Sequence, residues 1–219
     1  MARQVSIGVL ISGGGTNLQS IIDAIEAKKL DAKIQFVLSN KADAYGLVRA
    51  KNHGVSTEVL DHKAFPSREA YDQAVVDLLH ARGVELVVLA GFMRLLSPVF
   101  IKAYSNRIMN IHPALLPAFP GLHAQKKALE HGVRFAGCTV HFVNQECDEG
   151  PIIIQAVVPV FPDDSEGSLA ARILNQEHRI YPRAIQLYAE GRLHVEGRRV
   201  LVDGLAKDGN EVLFQPPLV

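Results

Sequence analysis

Asn110 and His112 stand two residues apart in the run Ile108-Met109-Asn110-Ile111-His112-Pro113. In extended backbone, residues two apart project from the same face, so this run offers an amide donor and a titratable imidazole side by side. Such a pair suits a carbonyl oxygen that becomes negative when its carbon is attacked. Asp148 lies in a second polar loop, Asn144-Gln145-Glu146-Cys147-Asp148-Glu149-Gly150-Pro151, which comes after another apolar run. If that loop meets His112, the carboxylate favours the protonated imidazole. A histidine next to proline is as often structural as chemical, and the sequence by itself does not bring the two loops together.

A second chemical feature is Ser12-Gly13-Gly14-Gly15-Thr16-Asn17-Leu18, placed where a first strand turns into a first helix. Glycines let backbone amides come close to an anion, and a helix N-terminus adds unpaired N–H groups and a positive dipole end. The loop is not a nucleotide P-loop, since no Gly-Lys-Ser/Thr comes after it. It also fits a dinucleotide fingerprint poorly, with Leu18 at the third small position and Ser39-Asn40 ending the second strand where an acid would hold a ribose. A tight turn capped by Thr16 or Asn17 is the plain alternative, and the two readings can coexist.

Other chemistries have weaker support. His123 and His141 rank below His112, and no spacing among the nine histidines, the cysteines and the carboxylates resembles a metal site. No Gly-x-Ser-x-Gly elbow or Cys-His pairing signals covalent catalysis. Cys138 and Cys147 lack a CxxC spacing and read as structural thiols. What remains is direct transfer without a metal.

The elements that must position these residues alternate. Runs at Val5 to Leu10, Ile34 to Leu38, Ser56 to Leu60, Leu86 to Ala90 and Ile108 to Ile111 read as strands. Helical patterns at about Asn17 to Ala27, Ala44 to Asn52 and Ser67 to Arg82 lie between the first four. Nearly continuous apolar strands such as Leu86 to Ala90 belong to a parallel sheet covered on both faces, which predicts a doubly wound, mostly parallel α/β fold. After Ile111 come a Pro-rich stretch from Pro113 to Gly121 and a helical segment near Ala124 to His131. Two apolar runs, Ala136 to Val143 and Ile152 to Val160, then extend the sheet with at least one antiparallel strand. A helix from about Ser165 to Ala189 is expected to kink at Pro182. Leu193 to Val219 reads as a hairpin and a loose end, in which Glu211-Val212-Leu213-Phe214-Gln215 resembles a protease recognition sequence except that Pro216 comes next. No repeat or linker divides the 219 residues, so one catalytic domain is expected over 1–219, with its core at about 5–195.

Charge and targeting narrow the partners. The 23 basic and 23 acidic residues cancel, so no overall positive field holds a nucleic acid or an anionic membrane. The apolar start before the glycines is too short for a signal-peptide core or a membrane span, and the expected location is the cytoplasm. Monomer and homodimer both stay open.

Several ordered motifs resemble one family, glycinamide ribonucleotide formyltransferases of purine synthesis. They are Ile11 to Leu18, Ser39 to Ala44, Leu89 to Pro98, Asn110 to Pro117, His141-Phe142-Val143, Asp148 to Gln155 and Gln176 to Pro182. The resemblance spans about residues 5–195 and implies transfer of a formyl group from 10-formyltetrahydrofolate, as co-substrate, to the amine of glycinamide ribonucleotide. It implies further that Asn110, His112 and Asp148 are the catalytic trio, and that Gly15, Thr16 and Asn17 cradle the phosphate and ribose. Glu177 resembles the residue that holds the glycyl amine. Met93, Arg94, Leu95 and Leu96 resemble a wall of the pterin pocket, Val143 to Asp148 the loop closing over it, and Arg68 a folate-contacting arginine. Gly14 and Glu149 depart from the pattern, standing where asparagine and glycine are common. Gly14 should be tolerated, whereas Glu149 adds a charge beside Asp148. A formyl-folate hydrolase and a methionyl-tRNA formyltransferase share the trio, but would be expected to add a regulatory or an RNA-binding domain. A non-catalytic nucleotide sensor would need the glycine loop alone.

Overall fold

A computed structural model describes residues 4–204. The chain runs β1 (Val5–Ile11), α1 (Thr16–Glu26), β2 (Ala32–Ser39), α2 (Tyr45–Asn52), β3 (Thr57–Val59), a short 3-10 turn (His62–Ala64), α3 (Arg68–Ala81) and β4 (Leu86–Leu89). It continues through α4 (Pro98–Ala103), β5 (Ile108–His112), α5 (Ala124–Glu130), β6 (Phe135–Phe142), β7 (Ile152–Pro159), α6 (Glu166–Ala189), β8 (Leu193–Glu196) and β9 (Arg199–Val202). The nine strands form one sheet in the order β3-β2-β1-β4-β5-β6-β7-β9-β8.

Strands β3 to β5 pair in parallel through β2, β1 and β4, while β5–β6 and β6–β7 are antiparallel. The expected doubly wound sheet with an antiparallel C-terminal extension is therefore present. β9 departs from strict antiparallel order by pairing in parallel with β7, and β8 closes the hairpin on it. The remainder of the expected tail, including the Glu211 to Gln215 motif, lies outside the described residues. Helix α4 has no counterpart among the expected elements, because its six residues are too few to show a clear helical period, although proline at a first helical turn is a start signal.

Burial explains the continuous apolar strands. Val9, Ile11, Val88, Met109 and Ile111 face one core with Leu18 and Ile21 of α1 and Tyr181 and Ile185 of α6. Leu10, Val87, Leu89 and Ile108 face the other with Tyr71, Val75 and Leu79 of α3 and Phe100 of α4. Each fully buried large apolar side chain contributes about 1.5–3 kcal/mol, so both layers hold the sheet between them.

α6 continues through Pro182 as one 24-residue helix, started by a capping box in which Ser165 and Ser168 exchange hydrogen bonds with each other's backbone amides. The Tyr181 hydroxyl reaches the carbonyls of Leu89 and Met109 at 3.0 and 2.9 Å, which locks the helix across β4 and β5 beside Asn110. Among the described residues no helix is long and apolar enough to cross a membrane.

Candidate active site

The antiparallel register brings the polar residues together. Asn110 pairs with His141 and His112 with Thr139, so all four side chains leave the same face of β5 and β6. The loop after β6 then returns Asp148 to them. His112 Nδ1 lies 3.4 Å from Asp148 Oδ2, and His141 Nε2 lies 3.7 Å from Asp148 Oδ1. Asn110 Nδ2 is 3.2 Å from His141 Nε2 and donates to Asp148 Oδ1 at 3.5 Å. Asn110, His112 and Asp148 are thus brought together, and His141 stands beside them.

Backbone groups decide where the protons sit. His112 Nε2 faces the Phe119 carbonyl at 2.9 Å, and a carbonyl only accepts, so Nε2 carries the proton and Nδ1 is the nitrogen turned toward Asp148. His141 Nδ1 likewise donates to the Phe142 carbonyl at 3.0 Å, leaving Nε2 for Asn110 and Asp148. Burial pushes the Asp148 carboxyl up. That effect is outweighed by the hydrogen bond of His141, the Gly121 amide donating at 2.9 Å, and the charges of the two histidines, which together hold it well below the usual carboxylate range. Asp148 is thus a fixed negative charge in a site where His112 is only 5% exposed.

The Asp148 loop is backbone-determined. Asp148 has φ +56°, a left-handed conformation that costs a non-glycine residue about 1 kcal/mol and persists only where contacts over-determine it. At Gly150 a Cβ would fall inside the Phe142 carbonyl, so only glycine lets this loop fold back onto β6. Glu149 points away, its carboxylate 3.9 Å from Arg198 in the turn between β8 and β9. The expected extra charge beside Asp148 is therefore directed to another partner.

The Pro-rich segment after β5 is tied to the sheet by Thr139. Its hydroxyl donates to the Ala114 carbonyl at 2.7 Å and accepts from the Leu116 amide at 3.1 Å, and Gln155 of β7 donates to the same hydroxyl and to the Leu116 carbonyl. This anchoring delivers the Phe119 carbonyl and the Gly121 amide to the histidine and the aspartate.

The glycine loop stands at the end of β1. Gly15, not Thr16 or Asn17, is the N-cap of α1, without any side-chain cap, and Thr16 is the first helical residue. The first-turn amides therefore have no side-chain cap among the described residues. Gly15 has φ +70°, and a Cβ there would sit 2.6 Å from the Gly46 Cα, so the glycine is also required for α1 to approach α2. A Cβ on Gly14 meets nothing within 4 Å, in line with its expected tolerance. Asn17 Nδ2 donates to Glu177 Oε2 at 2.7 Å while Asn17 Oδ1 is buried without a partner. Burial raises the Glu177 carboxyl above its ordinary range, only partly opposed by the Asn17 hydrogen bond.

Residues 91–96 leave β4 as an irregular segment. Met93 and Leu95 are 64% and 62% exposed, while Leu96 and Val143 pack on the α3 side. The Arg94 guanidinium lies over the Tyr71 ring at 4.8 Å, and its Nε is buried without a partner. Arg68 begins α3, half exposed, with its guanidinium 3.4 Å from Glu69. No contact among the described residues joins it to the trio.

His123 is the exposed N-cap of α5 and belongs to none of these contacts. Cys138 is fully buried, its thiol pushed up to about 12 chiefly by burial. Cys147 departs from the expected packing role, being exposed with Sγ 3.6 Å from Asp148. Among the described residues no group of three or more His, Cys, Asp or Glu could hold a metal ion.

The sequence matches the family described as formyl transferase over residues 5–185, most of the chain. The chain belongs to the formyl transferase family. This formyl transferase is 50% identical over 200 residues to the phosphoribosylglycinamide formyltransferase of Escherichia coli (strain K12), covering 91% of the chain and 94% of that protein. It is 49% identical over 191 residues to the trifunctional purine biosynthetic protein adenosine-3 of Drosophila melanogaster, of which the match covers 14%, and 86% of the chain. Among solved structures, glycinamide ribonucleotide transformylase 1 from Symbiobacterium toebii superposes with a TM-score of 0.91 at 56% identity, covering 92% of the chain and 95% of that one.

The sequence reading of this formyl transferase ranked His141 too low, and it missed the Phe119 carbonyl and the Gly121 amide. His141 had one usable signal, a histidine in phase with Thr139 inside an apolar strand. The two backbone groups had none, because a carbonyl or an amide carries no residue type.

Proposed function

We propose that this enzyme transfers the formyl group of 10-formyltetrahydrofolate to the amine of glycinamide ribonucleotide by direct attack through a tetrahedral intermediate. The observation that carries the reading is the convergence of Asn110, His112 and Asp148, with the Phe119 carbonyl fixing the His112 proton pattern. The names and identities of the relatives support the choice of substrates.

The glycine loop and the bare α1 N-terminus, at Gly15, Thr16 and Asn17, take the phosphate and ribose. The unpartnered Asn17 oxygen accepts a hydrogen bond from the same substrate, and Glu177 holds the glycyl amine. A Glu177 carboxylate oxygen accepting from the amine N–H holds the nitrogen in place, so that its lone pair is directed at the formyl carbon. The pterin lies against residues 93–96 and Val143, with Arg68 contacting the folate.

As the amine adds to the formyl carbon, the carbonyl oxygen takes the negative charge. His112 protonated at Nδ1 donates to it, as does the Asn110 N–H held only loosely at 3.5 Å from Asp148. Asp148 stays ionised and favours the imidazolium. The collapsing intermediate returns a proton to the folate nitrogen, through His112 or a water that Asp148 orients. Most of the acceleration is positioning of two bound substrates. The test is purified protein given 10-formyltetrahydrofolate with and without glycinamide ribonucleotide. Formyl transfer that requires the acceptor is expected. Formate release at the same rate in both cases would make the enzyme a hydrolase and overturn the reading.

A further inference from the structure

Three parallel strands end side by side under the site, and one hydroxyl joins them. Ser12 comes directly after β1, Asn40 after β2, and Gly91 to Met93 lie just beyond β4. The Ser12 hydroxyl donates to Asn40 Oδ1 at 2.6 Å and accepts from the Met93 amide at 2.9 Å, while the Ser12 amide donates to the Gly91 carbonyl at 3.0 Å. Ser12 and Asn40 are each only 5% exposed. A hydroxyl has one proton, so giving it to Asn40 turns a lone pair toward Met93. Asn40 Nδ2 in turn lies 3.4 Å from His62 Nδ1, which fixes the amide's orientation.

We propose that Ser12, oriented by Asn40, is a positioning residue that sets the distance between the glycine loop and the 91–96 wall, and so between the attacking amine and the formyl carbon. The inference rests on the substrate assignment proposed above. Two features separate this from ordinary strand-end bonding. The backbone pairing of β1 with β4 continues through the Ser12 amide whatever the side chain, so the hydroxyl governs only the residues beyond Gly91. Phe92, Arg94 and Leu96 pack on the α3 side, but the side chains of Met93 and Leu95 are mostly exposed, so at Met93 the amide bond to Ser12 is the direct tether between wall and loop. Ser12 immediately precedes Gly13, whose carbonyl accepts from the Gly46 amide at 3.0 Å, so the tether from Met93 enters the glycine loop next to the loop's own anchor on α2.

The test compares Ser12→Ala, Asn40→Ala, Asn40→Asp and the double alanine variant by titration calorimetry with a folate analogue and with glycinamide ribonucleotide, beside turnover and thermal melting. Ser12→Ala should weaken the folate analogue about tenfold and lower turnover at saturating substrates, because the wall loses its tether and the alignment of the two reactants suffers. Affinity for the ribonucleotide should stay within about twofold, while the melting midpoint should fall by roughly 2–8 °C because buried hydrogen bonds are lost. Asn40→Asp keeps the acceptor and should recover folate affinity to within about threefold, whereas Asn40→Ala should reproduce most of the Ser12→Ala loss. The double variant should be no worse than the worse single one, since the two act as a unit. Unchanged folate affinity and turnover in Ser12→Ala, or equal losses of both ligands, would overturn the assignment. A parent protein that neither binds folate nor transfers formyl would overturn the substrate reading and this inference together. A competent parent matched by Ser12→Ala overturns this inference alone.

Discussion

Replacing Asp148 with asparagine removes a charge while keeping the shape of the side chain, which makes it the most informative single change in the site. His112 Nδ1 and Asp148 Oδ2 are 3.4 Å apart, and the carboxylate is 11% exposed. Unit charges at that distance interact by about 5 kcal/mol at an effective dielectric near 20 and by about 1 kcal/mol in bulk water. A site this enclosed but not sealed falls between those limits, at about 2–3 kcal/mol, which converts to a loss of turnover of roughly 30- to 160-fold. The Gly121 amide can still be satisfied by the asparagine oxygen, so the loop should hold and substrate affinities should change by less than about threefold. Initial rates at saturating substrates give the turnover, and the histidine ring signals by NMR give the protonated fraction of His112 near neutrality, which should fall. A loss of turnover under about threefold would refute the electrostatic role. A large loss with the protonated fraction of His112 unchanged would refute it equally, and would leave Asp148 as the residue that orders its loop through Gly121. Glu149→Gln is the companion control: because that side chain faces Arg198, turnover should stay within about twofold of the parent.

Four further outcomes are expected. Asp148 is held below the ordinary carboxylate range in the folded protein, so its stabilising contribution is complete above that range and is lost as pH falls through its lowered value; Asp148→Asn should flatten the acid limb of a stability-against-pH curve from thermal melts. Glu177 has the opposite sign: its folded value is raised, so its contribution is present below the ordinary range and is lost as pH rises, and Glu177→Gln should raise the melting midpoint near neutrality while weakening glycinamide ribonucleotide in calorimetry. Tyr181→Phe removes the one donor shared by the Leu89 and Met109 carbonyls and should cost about 1–2 kcal/mol, a fall of roughly 2–8 °C in the melting midpoint for a chain of this size. Gly15→Val must displace either the loop or α2, so it should lower the melting midpoint as well as ribonucleotide affinity, while Gly14→Asn should leave the midpoint within about 2 °C and the affinity within about twofold, read by the same two measurements.

Much of this protein was determined at the level of local sequence. The apolar strands near 5–11, 34–38, 86–89 and 108–111 were readable because a parallel sheet buried on both faces needs uninterrupted apolar runs, and helices α1, α3 and α6 because their buried residues recur at helical spacing. Asn110 and His112 were legible as a pair because alternation along an extended strand is a local rule. The glycine loop was legible because three successive glycines have few other uses. Its cap was not, since whether Gly15 or Thr16 closes the helix depends on how near α2 comes.

Tertiary structure decided everything that required two distant segments to meet. Asp148 reaches His112 only because β6 runs antiparallel to β5 and the loop after it can fold back over Gly150, and neither strand direction nor register is written in the run Ala136 to Val143. The same register made His141 a member of the site. The proton on His112 Nε2 is fixed by the carbonyl of Phe119 and the charge on Asp148 is held partly by the amide of Gly121, groups that every residue but proline carries alike. A sequence records side chains; where a backbone group points is settled only when the chain around it has packed.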